Sequence, residues 1–325
     1  MSMSESQAPA EMTAPGIDLA QATAFLHERY GRDVTLTSAL RQGAWSNAYA
    51  FRQDRSDLVI RFSRYADDFA RDRLAASYAT TALPIPAVVE LGEAFGGFYA
   101  VSERAFGQYI DDLDGEQMHA LLPALFAALD AMRAVDLSGT TGYGNWDAQG
   151  HAPFATWRET LLHVAVDDPA DRGHGWREQL ESSPVGAIMF DEALAQFVRL
   201  VDVAPDERHL IHSDLLNFNM LVAGDRITAV IDWGCALYGD FLYDLAWFAM
   251  WAPWYPAWRD IDFAREGAEH FARIGLAVPH LDERLRCCMV HIGLGNQAYC
   301  ASIGRWDQLE AIAKRTLAIA RGDAR

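Results

Sequence analysis

The sequence has few cysteines, few basic residues for its size and no long apolar run. Its four cysteines contain no C-x-x-C pair, so neither a disulfide framework nor a cysteine-based zinc site is predicted. Lys and Arg number 27 against 45 Asp and Glu, and the net charge of −18 disfavours nucleic acid and anionic membranes as partners. The same charge attracts cationic small molecules, although an acidic surface also serves solubility alone.

No segment of the sequence is typical of a secretory signal or a membrane span. The N-terminus lacks a basic region followed by an apolar stretch. The most apolar run, residues 241–254, is interrupted by Asp244 and Pro253 and is shorter than the roughly 20 residues that cross a bilayer. We therefore expect a cytoplasmic protein without a membrane partner, either a monomer or a weak dimer.

The pattern of apolar residues divides the chain into a tail and two lobes. Residues 1–16 are rich in Ser, Ala, Pro and Glu without periodicity, which predicts a disordered tail. Residues 17–105 form the N-terminal, nucleotide-binding lobe, with a helix at 18–30, a five-stranded antiparallel sheet and a helix at 67–79. Residues 106–325 form a mostly helical lobe, so the fold class is α+β with a cleft between the lobes. The strands are expected near residues 34–40, 48–52, 58–63, 87–91 and 97–103, with two more near 219–222 and 227–231 in the second lobe.

Residues 208–233 have the spacing of a phosphoryl-transfer site. They contain His212-x-Asp214-x4-Asn219, then a hairpin, then Asp232 at the end of a strand. Phosphoryl transfer needs a carboxylate to orient the acceptor hydroxyl and oxygen ligands for Mg²⁺. The hairpin is expected to return Asp232 to the side of Asn219, so that two metal ligands meet next to Asp214.

The H-x-D-x4-N and I-D-W elements resemble those of the aminoglycoside phosphotransferase family, whose members share the two-lobed fold of protein kinases. The likeness extends to GDFLYDLAW at 239–247, and ALPIPAVVELGE, DLSGTTGYG and ATWRE are similar to segments of the hygromycin B subfamily. It covers most of residues 35–300. The resemblance implies an O-phosphotransferase that uses ATP and Mg²⁺ to inactivate an aminoglycoside or aminocyclitol antibiotic, hygromycin B being the favoured acceptor.

The resemblance also implies a role for each residue of the motif. Asp214 matches the family's catalytic aspartate, Asn219 and Asp232 match its magnesium ligands, and His212 matches a structural position. Taken singly, the two aspartates are compatible with turn or capping carboxylates, but the spaced set favours a site. His212 is expected to be buried and to support the loop by hydrogen bonds rather than to transfer a proton.

Candidates for the nucleotide side are less distinct. The turn GAWSNA between the first two strands occupies the place of a kinase phosphate loop but holds one glycine, so a plain hairpin is equally compatible. Arg61 stands where the kinase pattern has lysine, and the alternative is a surface arginine without a role. The segment SERA matches the hinge, whose backbone binds adenine in the family. The nucleotide-side candidates are Ser46, Asn47, Arg61, Glu103 and Ala105, with Asp72 as the nearest structural partner for the arginine.

The acceptor side is expected in the aromatic segment WFAMWAPWYPAWRDIDF, residues 247–263. Aromatic faces and carboxylates suit an amino-sugar through cation–π contacts and charge-assisted hydrogen bonds. Aromatic residues at helical spacing are also typical of a core, and an Asp pair also caps helices, so both interpretations stay open. Asp240 is expected to hold the catalytic loop. The predicted acceptor-side residues are Asp244, Trp251, Trp254, Tyr255 and Asp260.

Two other functions are compatible with the sequence. A kinase of the same fold would phosphorylate a metabolite such as homoserine, choline or methylthioribose, and an aromatic box around Trp251 and Trp254 suits a quaternary ammonium group. Arg61 and the single-glycine turn are compatible with a non-catalytic nucleotide-binding regulator, although the complete H-x-D-x4-N set disfavours it. A protein kinase is the least favoured, because GDFLYDLAW occupies the place of an activation segment.

Overall fold

The first lobe is built on one antiparallel sheet, and the computed structural model describes residues 14–324. The predicted tail, residues 1–16, therefore lies mostly outside the described residues. The elements of this lobe are α1 (Leu19–Tyr30), β1 (Thr35–Ala39), β2 (Ser46–Gln53), β3 (Ser56–Ser63), α2 (Asp67–Ala75), β4 (Val88–Ala94) and β5 (Gly97–Glu103). The strands follow the order β1-β2-β3-β5-β4, which confirms the predicted five-stranded antiparallel sheet with an inserted helix.

Helix α1 is capped as its sequence predicts and covers one face of the sheet. The Oδ1 of Asp18 accepts the N–H of Gln21 over 2.8 Å, and the Oε1 of Gln21 accepts the N–H of Asp18 over 2.9 Å. Leu26 on the buried face of α1 belongs to the same apolar core as Phe51 and Phe62 of the sheet. Burial of this face therefore fixes α1 on the sheet.

The second lobe is mostly helical, as predicted. Its helices are α3 (Gly115–Arg133), α4 (Trp157–Leu162), α5 (Trp176–Ser182), α6 (Ile188–Leu200), α7 (Leu242–Trp251), α8 (Phe263–Arg273), α9 (Leu281–Ser302) and α10 (Trp306–Arg321). Its strands are β6 (Gln108–Tyr109), β7 (Gly144–Asn145), β8 (His209–Ile211), β9 (Met220–Ala223), β10 (Arg226–Val230) and β11 (Leu237–Gly239). None of the helices in residues 14–324 combines the length and the apolar character that a membrane crossing requires.

Two small sheets in this lobe frame the segment between β8 and β9. Strand β9 pairs with β10 on one side and with β6 on the other, and β11 pairs with both β7 and β8. Only the β9–β10 hairpin was expected, because strands of two or three residues carry no readable periodicity and their partners are distant in sequence. The chain therefore leaves one small sheet at β8 and enters the other at β9.

The two lobes share a core next to α2. Ala75 at the end of α2 and the following Leu83 and Ile85 pack into the apolar core of the helical lobe. The N–H of Val230 donates to the carbonyl of Pro84 over 2.8 Å, so this connection is also hydrogen-bonded to the end of β10. The apolar core of the first sheet lies wholly before residue 105, whereas Ala75, Leu83 and Ile85 belong to the core of the second lobe, and the boundary at residue 105 stays a prediction.

A buried ion pair joins the start of α7 to α9. Arg284 donates from Nη2 to Asp240 Oδ1 over 2.7 Å and from Nε to Oδ2 over 2.9 Å, and the side chains are 5% and 1% exposed. Asp240 Oδ1 also accepts the N–H of Leu242 over 3.0 Å, near the first turn of α7. A bidentate pair of this kind gives each charge a partner. Burying either charge without its partner would be unfavourable.

We expect Arg284→Ala to lower the free energy of unfolding by about 3–5 kcal/mol, because Asp240 would stay buried without a counter-charge. Lys314→Ala is the control, since its pair with Glu310 is 65% and 55% exposed, and it should cost less than about 0.5 kcal/mol. Urea titrations followed by circular dichroism measure both. Equal losses in the two variants would contradict the prediction.

Candidate active site

A buried histidine organises the loop between β8 and β9. His212 is fully buried; its Nε2 donates to the carbonyl of Ile231 over 2.9 Å, and its Nδ1 accepts the N–H of Asp214 over 3.2 Å. This pattern fits a neutral ring with its hydrogen on Nε2, and burial lowers the pKa of His212 to about 4. His212 therefore supports the loop and holds no mobile proton at neutral pH.

Two asparagines orient the carboxylate of Asp214. Asn217 Nδ2 donates to Oδ1 over 2.6 Å, and Asn219 Nδ2 donates to Oδ2 over 3.0 Å and to the Asp214 carbonyl over 2.8 Å. Burial raises the pKa of Asp214 well above its usual range, and the charges of Asp232 and Asp111 raise it further, whereas the asparagine hydrogen bonds lower it. This crowding of carboxylates favours the arrival of cations.

Asn219 and Asp232 form a donor set that fits Mg²⁺. Because Asn219 directs its NH₂ group to Asp214, its Oδ1 has no hydrogen-bond partner among residues 14–324. Asp232 follows β10 in the left-handed region, with φ 63°; desolvation by the surrounding protein and then the charge of Asp72 raise the pKa of Asp232 to about 6. One carboxylate and one amide oxygen suffice for Mg²⁺ when phosphates and water complete its shell. Within the described part of the chain, no three His, Cys, Asp or Glu gather into a self-sufficient metal site.

Asp72 of α2 joins the predicted phosphate arginine to the metal side. One oxygen pairs with Arg61 Nη2, and the other accepts the N–H of Trp233 over 2.7 Å. The Arg61 side chain is 16% exposed, so it does not match a surface arginine without a role. The one lysine of the sequence, Lys314, lies on α10, which leaves Arg61 as the cation at the kinase lysine position.

Ser46 and Asn47 take different roles at the start of β2. The buried Asn47 accepts the N–H of Ile17 on Oδ1 over 3.0 Å and donates from Nδ2 to Gln42 over 3.0 Å. The Asn47 side chain is therefore committed to holding the turn, and a role of Asn47 in nucleotide binding stays a prediction. The half-buried Ser46 keeps its hydroxyl free of hydrogen bonds to any described residue, and it stays available to a phosphate.

The predicted hinge leaves one backbone donor unused. The N–H of Glu103 donates to the carbonyl of Ala87 and that of Arg104 to the carbonyl of Asp57, each over 3.0 Å. The next N–H, that of Ala105, has no hydrogen-bond partner in the described part of the chain. A half-buried N–H without a partner is what recognition of an adenine edge requires.

The aromatic segment at the end of α7 contains two tryptophans in contact, one of them exposed, and a tyrosine whose hydroxyl is already hydrogen-bonded. Trp251 and Trp254 meet edge to face with their centroids 5.2 Å apart, and Trp254 is 41% exposed. Tyr255 instead stacks on Trp258 at 4.1 Å and donates its hydroxyl to Asp111 Oδ1 over 2.7 Å. The tryptophans therefore remain candidates for acceptor binding, whereas the Tyr255 hydroxyl is already bonded.

Two predicted acceptor carboxylates have other positions. Asp244 is buried and accepts the N–H groups of His212 and Ser213 over 2.8 Å each, so both its oxygens hold the loop between β8 and β9. Burial raises the pKa of Asp244 to about 7, against these two hydrogen bonds. Asp244 thus makes the contacts to the catalytic loop that were expected of Asp240. The Asp240 carboxylate instead pairs with Arg284 of α9. Asp260 lies on an exposed turn, 85% open to solvent, and no contact brings it to Asp214 in the described chain.

Two contacts between the lobes have no signal in the sequence. Arg172, ahead of α5, pairs with Asp67 over 2.6 Å and Asp68 over 2.8 Å on α2. Arg41, between β1 and β2, lies over the ring of Phe218 with 3.2 Å from its guanidinium carbon to the centroid. Both join residues more than 100 positions apart, which spacing along the chain does not reveal. They hold the first lobe against the second.

Comparisons with known proteins give one consistent family. A model of the phosphotransferase enzyme family (APH) matches residues 37–277. The hygromycin-B 4-O-kinase of Escherichia coli is 32% identical over 318 residues, which cover 96% of this chain and 88% of that protein. A thermostable variant of aminoglycoside phosphotransferase APH(4)-Ia, solved in a ternary complex with AMP-PNP and hygromycin B, matches with a TM-score of 0.81 and 31% identity over 93% of this chain and 98% of its own. The GDP complex of aminoglycoside 2'-phosphotransferase-IIIa matches with a TM-score of 0.63 at 14% identity, over 94% and 99% of the two chains, and shares the fold.

We expect His212→Gln to flatten the dependence of stability on pH. Burial lowers the pKa of the ring below its ordinary value of 6.5, so its contribution to stability is complete above about pH 6.5 and is lost as the pH falls toward 4. From pH 6.5 to pH 5 the wild type should therefore lose about 2 kcal/mol more free energy of unfolding than the variant. Urea denaturation across this pH range measures the difference. A variant as steep as the wild type would show that the histidine is not buried neutral.

Proposed function

Because the chain belongs to the phosphotransferase enzyme family, we propose that it transfers the γ-phosphate of ATP to a hydroxyl group of an aminoglycoside, with hygromycin B as the acceptor. The observation that carries this proposal is the meeting of Asp214, Asn219 and Asp232 near Arg61, whose partner Asp72 accepts the N–H of Trp233 in the second lobe. The product is a phosphorylated antibiotic, and its inactivation is the resulting function.

The first lobe supplies the contacts to ATP. The free N–H of Ala105 binds the adenine edge, and the hydroxyl of Ser46 donates to a phosphate oxygen. Arg61 provides a permanent positive charge for the phosphates in an orientation set by Asp72. Asn219 and Asp232 would hold Mg²⁺, which would supply positive charge to the phosphates of the nucleotide.

Asp214 aligns the acceptor hydroxyl and takes its proton as the phosphoryl group transfers. The transition state of such reactions is loose, so the protein contributes mainly position and electrostatics. Asn217 and Asn219 fix both carboxylate oxygens before the acceptor arrives. An ammonium group of the acceptor would lower the raised pKa of Asp214 and favour its ionised form, because opposite charges stabilise each other.

The acceptor is bound on the side of the helical lobe. The exposed face of Trp254 and its neighbour Trp251 suit the apolar faces and ammonium groups of an amino-sugar. The net charge of −18 adds a long-range attraction for such a polycation.

The proposed setting is the cytoplasm, where ATP and Mg²⁺ are at hand, and the proposed state is a monomer or weak dimer. Both lobes and all the proposed contacts come from one chain, so the site does not require a second copy. Sedimentation at several protein concentrations tests this state.

We expect the wild type to phosphorylate hygromycin B and the Asp214→Asn variant to do so at least about 10³-fold more slowly, because the hydroxyl proton loses its acceptor. ADP release measures turnover, and mass spectrometry with NMR locates the phosphate. Asp225→Asn, in the exposed β9–β10 turn, is the control and should keep full activity.

The same assay is run with homoserine, choline and methylthioribose. Turnover of one of these with none on hygromycin B would contradict the acceptor. Full activity of Asp214→Asn would contradict the catalytic role.

We expect Trp254→Ala to raise the KM for hygromycin B about tenfold while the KM for ATP stays within twofold, because it removes an exposed aromatic face on the acceptor side only. Ile188→Ala is the matched control, since Ile188 is an 80% exposed apolar side chain on α6. Steady-state kinetics with each substrate varied in turn decide the point. An unchanged KM for the antibiotic would remove Trp254 from the acceptor site.

A further inference from the structure

The backbone of the catalytic loop has an unusual conformation next to Asp214. Asn217 and Phe218 both lie in the left-handed region, with φ 63° and 69°. This conformation is unfavourable for residues other than glycine, less so for asparagine, and Phe218 is the strained member of the pair. Two consecutive residues of this kind need an external contact that stabilises them.

Asp111 supplies that contact from the other side of the loop. Its Oδ1 accepts the N–H of Asn217 over 3.0 Å, and its Oδ2 accepts the N–H of Phe218 over 2.9 Å. Hydrogen bonds from two successive N–H groups to one carboxylate are charge-assisted and fix the orientation of both peptides. Both oxygens therefore take part in holding the backbone of the catalytic loop.

The topology brings Asp111 to this place. Strand β6 ends two residues before it and pairs with β9, with Tyr109 opposite Leu221. Asp111 lies in the single turn of 3-10 helix at residues 110–112 that follows β6 directly. The pairing of β6 with β9 therefore places this turn beside the catalytic loop.

The consequence of this contact reaches the catalytic carboxylate. Asn217 is the first of the two left-handed residues, Asn219 follows the second, and their side chains donate to the two oxygens of Asp214. A change of the backbone at 217 and 218 would therefore rotate both donors away from Asp214. A displacement of about 1 Å in such a group reduces the rate by about 10²-fold.

Tyr255 ties the same carboxylate to the aromatic segment. Its hydroxyl donates to Asp111 Oδ1, and its ring stacks on Trp258, whose Nε1 donates to the carbonyl of Leu113 over 2.9 Å. Asp111 thus accepts three hydrogen bonds, two from the catalytic loop and one from the segment that carries Trp254.

We propose that Asp111 is a positioning residue that orients Asp214 through the backbone of residues 217 and 218, with Tyr255 holding Asp111 in place. The kinetic part of this inference rests on the proposed phosphotransferase function. The structural part does not.

The test compares Asp111→Asn with Asp112→Asn, a neutralised neighbour that is exposed and accepts no hydrogen bond among the described residues. In Asp111→Asn one N–H group would face an NH₂ group, so kcat with hygromycin B should fall about 10- to 100-fold. The KM for ATP should stay within twofold, because Arg61 and Ala105 are untouched. Hydrogen exchange of the amides of residues 217 and 218 should accelerate at least tenfold in this variant alone.

Each outcome decides the inference. A kcat within twofold of that of Asp112→Asn would overturn it, even if the melting temperature falls. If Asp111→Asn does not fold, Tyr255→Phe decides: a three- to fivefold loss of kcat supports the inference, and an unchanged kcat overturns it. If the wild type shows no turnover, the proposed function fails, and the exchange rates still test the contact: unchanged exchange in Asp111→Asn overturns it.

Discussion

The carboxylate of Asp72 connects Arg61, on the proposed phosphate side of the site, to the backbone that follows Asp232, on the proposed metal side. It belongs to α2, it pairs with the cation of β3, and it accepts the N–H that follows the metal-side aspartate. Because the group is buried, the loss of either partner would leave charge or a polar group unsatisfied. Arg61 and the backbone that follows Asp232 are therefore held in a fixed relation by one carboxylate.

The site stores unfavourable electrostatics that its substrates relieve. The pKa of Asp214 and that of Asp232 are both raised, by desolvation and by neighbouring carboxylates. Such a cluster of carboxylates repels an anion unless a metal ion accompanies that anion. The same cluster attracts an ammonium group. The charge of the site therefore favours a nucleotide that arrives with Mg²⁺, and it favours a cationic acceptor.

The sequence predicts what is local and misses what is distant. The five strands and the β9–β10 hairpin follow from alternation and turn residues, and the spacing of Asp214, Asn219 and Asp232 lies within one loop and one hairpin. Asp111 bonds residues 106 and 107 positions further on, so no local pattern reveals it. A helical position does not tell which neighbour covers it, so the sequence does not reveal that Asp244 accepts the N–H groups of His212 and Ser213. The hydrogen bond between Asn47 and Ile17 likewise joins residues 30 positions apart.

The guanidinium at position 61 also determines which reagents can report on this cleft. Nucleotide analogues that acylate a side-chain amine rely on the lysine that kinases place on this strand, and a guanidinium at physiological pH offers no such nucleophile. The single lysine of the chain sits in an exposed pair on α10. Amine-directed labels would therefore react at the surface and not in the cleft. Activity profiling with such probes would not detect this protein even when it is fully active.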